Sequence, residues 1–128
     1  MTEKPKKKPV LAKIVYNYED DVFYARPLKR KYDSSLQVSK FIFDLDKKGS
    51  IVGLEIPNAS KVFNMQKIHL RDVNRGPTLI HIEATEEIIR IDIKMTVVIR
   101  NAQNPATLSI ERLRPDLITP SNIALAEA

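Results

Sequence analysis

The chain has 128 residues, a net charge of +5 and no cysteine, so disulfides and thiolate metal sites are excluded. No apolar run approaches the roughly 20 residues that cross a bilayer, and the segment Val10-Leu11-Ala12-Lys13 is too short and too charged for a signal-peptide core. A cytoplasmic location and no membrane partner are therefore expected. The charge is uneven: residues 1–40 carry ten Lys/Arg against five Asp/Glu, and residues 41–128 carry eleven of each.

Residues 1–9 are rich in Lys and Pro and offer no apolar surface to offset the entropy of ordering them. They are read as a basic flexible tail. Residues 12–18 alternate, with Ile14, Tyr16 and Tyr18 on one face, and predict a strand. Glu19-Asp20-Asp21 is a polar turn leading to a second strand over 22–26, which Pro27 ends because it cannot donate to a ladder. Residues 28–34 form a basic loop, and Leu36 and Val38 begin another extended segment.

Phe41 to Asp46 and Ile51 to Ile56 form the clearest hairpin. Phe41, Phe43 and Leu45 face one way, and Ile42, Asp44 and Asp46 the other. Lys47-Lys48-Gly49 closes it, with Gly49 suited to a left-handed position. Gly53 within the second strand signals a bulge or a close backbone approach. Pro57 stops the strand, and Asn58 is the expected N-cap of a short helix running to about Met65.

In the C-terminal half, Ile89, Ile91, Ile93, Met95, Val97 and Ile99 occupy every second position and predict a strand over 88–100 with one buried face. Residues 78–85 precede it. Residues 106–112 follow it after a turn at 101–105, completing an antiparallel meander. Pro115 and Pro120 break regular structure, and Thr119-Pro120 is placed to start a last short helix. The chain reads as a β-rich α+β fold: an antiparallel sheet of hairpins with one short helix, plus a C-terminal antiparallel β-meander. Its parts are a tail (1–9), a hairpin and helix unit (10–65), a meander on the same core (66–114) and a C-terminal tail (115–128).

Two separated pieces carry a resemblance. In Tyr16-Asn17-Tyr18-Glu19-Asp20-Asp21-Val22-Phe23-Tyr24, the residues Tyr16, Glu19, Asp21 and Tyr24 fit a pattern. In the stretch from Asp44 to Ser60 the residues Asp44, Asp46, Gly49, Ile51, Val52, Gly53, Glu55, Ile56, Ala59 and Ser60 fit its continuation. In order and spacing, residues of about 12–63 resemble the family catalogued as domain of unknown function 2283. The resemblance implies a small β-rich unit without established enzymatic activity, some of whose members look like the partner protein of toxin–antitoxin pairs. Members are often acidic, whereas this chain is basic.

No catalytic constellation, phosphate-cradling glycine loop or metal-ligand spacing stands out. Asp44, Asp46 and Glu55 could act as a carboxylate cluster for Mg²⁺-dependent hydrolysis, but a turn-shaping Asp46 and solvated or paired neighbours account for them. His69 and His81 lack a second ligand at useful spacing. No enzyme, cofactor or metal is expected.

The positive charge has two foci: Lys4, Lys6, Lys7 and Lys8 in the tail, and Arg26, Lys29, Arg30 and Lys31 in and before the loop. Aromatic residues lie among them. Tyr16 and Phe23 fall at core parity, while Tyr18 and Tyr32 are surface candidates. Cations that neutralise phosphates beside rings that stack bases form the footprint of nucleic-acid contact. The expected partner is a nucleic acid or nucleoprotein assembly, RNA ahead of DNA, bound through those eight cations and Tyr32. The alternative is a protein-interaction module, binding a protein partner or a second copy through an open sheet edge.

Overall fold

The computed structural model describes residues 8–29, 31–71 and 77–127. Its strands are β1 (Val10–Asn17), β2 (Val22–Pro27), β3 (Ser34–Val38), β4 (Phe41–Leu45), β5 (Ile51–Ile56), β6 (Leu79–Ala84), β7 (Ile88–Ile99), β8 (Ala102–Leu113) and β9 (Ser121–Glu127). Two single-turn helices, α1 (Ala59–Val62) and α2 (Lys67–Leu70), follow β5. The strands make one sheet in the order β3-β4-β5-β2-β1-β9-β6-β7-β8. The sheet curls, and β8 returns toward β4: the Arg112 guanidinium lies 5.7 Å from the centre of the Phe41 ring.

The β-rich α+β reading holds, with two corrections. The sheet is not purely antiparallel, because β1 and β9 pair in parallel, Val10 with Leu125 and Ala12 with Glu127. There are two short helices rather than one. The C-terminal tail read at 115–128 contains β9, and no helix forms after Thr119-Pro120. Ile123, Ala124 and Leu125 are buried between β1 and β6, so pairing on both sides outweighs the local helix-start signal.

Period-two alternation decides what is inside. Ala12, Ile14 and Tyr16 of β1, Phe23 and Ala25 of β2, and Phe41 and Phe43 of β4 all point into the core. On β7, Ile89, Ile91, Ile93, Met95 and Val97 are each at most 3% exposed, so the one buried face expected of this strand is present. Each large aliphatic side chain buried in this way contributes on the order of 1.5–3 kcal/mol. The turn between β7 and β8 is tighter than the sequence suggests. Arg100 and Asn101 both have positive φ, at 51° and 63°, the backbone of a two-residue hairpin loop. Pro105 is thus inside β8, tolerated because β8 is an edge strand.

The β4–β5 hairpin forms as expected. Asp46 Oδ1 accepts the backbone N–H groups of Lys48 at 2.9 Å and Ser50 at 3.0 Å, and Gly49 takes φ 81°. The turn is also held from outside, since the Thr119 N–H donates to the Gly49 carbonyl at 2.9 Å. A Cβ on Gly49 would stand 2.8 Å from Thr119 Oγ1 and 2.9 Å from the Leu117 carbonyl oxygen.

Asn58 occupies the N-cap position of α1, but its side chain makes no capping bond. Asp21, from the β1–β2 turn, caps the helix instead. Its Oδ1 accepts the Ser60 N–H at 2.9 Å, its Oδ2 accepts the Ser60 hydroxyl at 2.6 Å, and its backbone carbonyl accepts the Ala59 N–H at 2.9 Å. The Tyr16 hydroxyl donates to Oδ1 at 2.7 Å.

Burial alone would raise the Asp21 carboxyl. Hydrogen bonds from Ser60 and Tyr16 and the charge of Lys67 outweigh it, and the group sits below the ordinary carboxylate value. A depressed carboxyl adds stability above its unfolded value, near pH ~4, and loses it as pH falls through the folded value. Urea unfolding between pH 7 and pH 2 will therefore show stability falling through the acid range, and Asp21→Asn will flatten that fall. At pH 7 loss of the cap in Asp21→Ala will cost about 0.5–2 kcal/mol. Gly49→Ala, strained by positive φ and crowded by backbone, will lower stability by about 1–3 kcal/mol in the same assay.

Candidate nucleic-acid interface

Antiparallel pairing of β1 with β2 puts the start of one beside the end of the other. Ala12 stands opposite Pro27, and the Leu28 N–H donates to the Leu11 carbonyl at 3.1 Å. The tail at Lys8 and the loop at Lys29 thus leave the sheet at the same end. Two foci separate in sequence are brought together by one hairpin. Lys8, Lys29, Lys31 and Tyr32 are all exposed, Tyr32 by 52%. Lys4, Lys6, Lys7 and Arg30 lie outside the described residues.

The loop then turns back over the outer face of the sheet, tied down where the Asp33 N–H donates to the Leu45 carbonyl at 2.7 Å. Beneath it is a cleft of about 310 Å³ lined by Arg26, Pro27, Lys31, Tyr32, Asp44 and Val52. Three of the residues expected from sequence, Arg26, Lys31 and Tyr32, meet here.

The face opposite the core parity supplies the floor. Tyr24 and Arg26 point outward from β2, and Lys13 on β1 is the cross-strand partner of Arg26. The Arg26 guanidinium lies 5.3 Å from the Tyr24 ring centre and 5.9 Å from that of Tyr32. Its Nε is 3.7 Å from Asp44 Oδ2. The Arg26 side chain is half exposed while Asp44 is 4% exposed. Two rings and one buried carboxylate therefore hold a cation whose outer side faces solvent. That arrangement suits a phosphate or a base stacked on the guanidinium plane.

Asp44 faces outward by parity, yet it is buried. It accepts a hydrogen bond from the Ser35 hydroxyl at 2.9 Å and leans over Gly53. A Cβ at Gly53 would be 2.7 Å from Asp44 Oδ2 and 3.1 Å from the Ala25 carbonyl oxygen. The bulge expected at Gly53 is present, since the ladder slips between Asp44 and Leu45, and the close backbone approach is that of the Ala25 carbonyl. Asp46 serves its turn, and Glu55 stands opposite Tyr24 and Ile42 rather than Asp44. Among the described residues no three His, Asp or Glu side chains gather as a metal site.

The remaining candidates are spread out. Tyr16 and Phe23 are core. Tyr18 is 43% exposed at the other end of the hairpin, with Lys67 Nζ 4.7 Å from its ring centre and the Arg71 guanidinium at 5.9 Å. His81 pairs with Asn122. Sequence reasoning missed Lys13, Tyr24 and Asp44 as cleft neighbours. Parity along β1 and β2 was the available signal for Lys13 and Tyr24. For Asp44 only the pairing of β4 with β5, and of β5 with β2, brings it under Arg26.

Residues 13–60 match the family model "Protein of unknown function (DUF2283)". Asp21, Asp44, Gly53 and Ser60 all fall within the match. The chain is 34% identical over 92 residues to a Methanosarcina mazei protein named "Putative hypoxanthine phosphoribosyltransferase", covering 72% of this chain and 73% of that one. This chain belongs to the DUF2283 family. An uncharacterized protein of Methanocaldococcus jannaschii is 34% identical over 95 residues, covering 71% of this chain and 78% of that one. No solved structure matches the chain significantly.

The Asp44–Gly53 contact gives this site a direct check. Gly53→Ala pushes a methyl into the carboxylate and the Ala25 carbonyl, and will cost about 1–3 kcal/mol in urea unfolding.

Proposed function

We propose that the chain is a non-catalytic binding module that docks on a nucleic acid or nucleoprotein surface, with single-stranded RNA segments preferred. One observation carries this reading: Arg26, Lys31 and Tyr32 line a single cleft at the end of the sheet where both basic foci emerge. Phosphates would be neutralised by Lys8, Lys29 and Lys31 together with Lys4, Lys6, Lys7 and Arg30. A base would stack on Tyr32 or on the Arg26 plane. Unstacked bases are available in single strands and loops, which favours RNA in that form over duplex DNA.

A second reading is a protein-interaction module. Its support is the free edge of β8, twelve residues long, with Leu113 81% exposed at its end and Leu117 72% exposed beyond it. Salt separates the two readings. Phosphate contacts weaken steeply as salt rises, and apolar edge pairing does not.

Fluorescence anisotropy with single-stranded RNA, structured RNA and duplex DNA at two salt concentrations tests the proposal. Single-stranded RNA will bind best. Tyr32→Ala will weaken it by about 1–3 kcal/mol, the usual worth of one stacked base. Removal of residues 1–9 takes away four lysines and will flatten the salt dependence by up to about 3 in log–log slope. Absence of binding to every probe at low salt would overturn the reading. Hypoxanthine and a phosphoribosyl donor supplied to the same protein test the activity that the Methanosarcina name states, and turnover would replace the binding reading.

A further inference from the structure

Leu28, Leu11 and Leu79 are 56%, 58% and 41% exposed, and strand register sets them in one row. Leu11 pairs with Ala126 across β1 and β9, and Ala126 pairs with Leu79 across β9 and β6. Directly opposite residues of neighbouring strands share a face. Leu11, Ala126 and Leu79 each stand next in sequence to a fully buried residue, Ala12, Leu125 and Ile80, so the row lies on the outer face of the sheet. Leu28 continues β2 beside Leu11, its N–H bonded to the Leu11 carbonyl. Four neighbouring positions at strand spacing make a row about 14 Å long.

Lysines border the row. Lys94 is the cross-strand partner of Leu79 and is exposed. Lys29 follows Leu28, and Lys13 stands two residues from Leu11 on the same face of β1; both are exposed. The next outward residue of β7 before Lys94 is an acid, Asp92, and it is taken up by Arg90 at 3.0 Å and by the Ser109 hydroxyl at 2.6 Å.

Exposed leucines side by side mark a contact surface, and the border requires an occupant that carries negative charge beside apolar material. A nucleic acid brings the charge, but leucines give its bases no ring or plane to stack on. A second copy would set lysine borders of one sign face to face. A protein carboxylate is matched best by the fork of an arginine, whereas all three border cations are lysines. Long lysine stems let the ammonium stay at headgroup level while apolar neighbours sit deeper.

We propose that this face docks on an anionic lipid surface. Leu11, Leu28 and Leu79 enter the boundary between headgroups and acyl chains, and Lys13, Lys29 and Lys94 pair with lipid phosphates. The expectation of no membrane partner came from the absence of a spanning segment. Among the described residues no helix is long and apolar enough to cross a membrane, and docking at a surface needs none. The inference goes beyond the nucleic-acid reading. Lys29 is common to both, and the leucines separate them.

Co-sedimentation of the full chain with vesicles tests it, using phosphatidylcholine alone and phosphatidylcholine mixed with phosphatidylglycerol. The chain will bind the mixed vesicles in preference to the neutral ones, and added salt will weaken that binding. Leu11→Ser combined with Leu79→Ser removes two exposed apolar side chains. It will weaken binding by about tenfold or more and leave the thermal midpoint and the affinity for single-stranded RNA in place. Lys13→Ala combined with Lys94→Ala keeps the leucines and will also weaken binding to the mixed vesicles.

No binding to mixed vesicles at low salt would overturn the proposal and leave an acidic protein surface as the occupant. Equal binding by wild type and the leucine variant would overturn it too, since charge alone would then account for the attraction. A dimer in sedimentation velocity that the leucine variant breaks would put a second copy on the row instead.

Discussion

Three parallel residue pairs between β1 and β9 hold the two halves of this sheet together. On one side lie β3, β4, β5 and β2, the strands of the family-like unit with β1 at their edge. On the other lie β6, β7 and β8, the meander, edged by β9. Without that junction each group would end in an open edge beside a half-covered apolar face. A strand of the size of β9 would be a weak element alone. Here it contributes Ile123 and Leu125 to the core and pairs on both sides. The closing of the fold therefore depends on β9, whose Leu125 pairs with Val10 across most of the described sequence. Contacts this distant in sequence carry a large loop-closure cost and make for slow folding.

Three acidic residues of the family pattern, Asp21, Asp44 and Asp46, are structural parts in this chain. Asp21 caps a helix too short to stand alone and pins it to the β1–β2 turn, with Tyr16 and Ser60 as partners. Asp46 replaces backbone partners within a tight turn. Asp44 is buried on the outer face of the sheet, where it is satisfied by Ser35 and by the Arg26 charge. Each carboxylate sits at a place where backbone or charge would otherwise be left unpaired. A pattern dense in acidic residues can thus describe how a hairpin unit is closed.

Much of the fold was legible because period-two patterning is local. The inward residues of β7 and the Asp46–Ser50 turn could be read from a window of a dozen residues. What was illegible depended on distant partners. The helix cap passed from Asn58 to Asp21 because the turn carrying Asp21 packs against the helix start, 39 residues away from Ser60. β9 escaped notice because Ile123, Ala124 and Leu125 are consecutive apolar residues, the mark of a strand buried on both faces and equally of a short helix. The basic foci were legible as composition. Their meeting at one end of the hairpin followed from the antiparallel pairing, and the cleft followed from the loop folding back onto Leu45.

The Arg26 cleft and the Asp44 carboxylate beneath it are linked through one glycine. Asp44 can lean toward Arg26 only because Gly53 leaves room, and Arg26 is oriented only because Asp44 and the two tyrosines surround it. Pairing with a buried acid lowers the net positive charge of the cleft, which works against anion binding. It also fixes the guanidinium plane, so less side-chain entropy remains to be lost when a ligand arrives. The lysines of the loop beside it, Lys29 and Lys31, are exposed. Under the proposed binding mode that division puts a fixed stacking point at the centre and phosphate contacts at the rim. Parity and register in the sheet set the first, and the lysines of the loop would set the second.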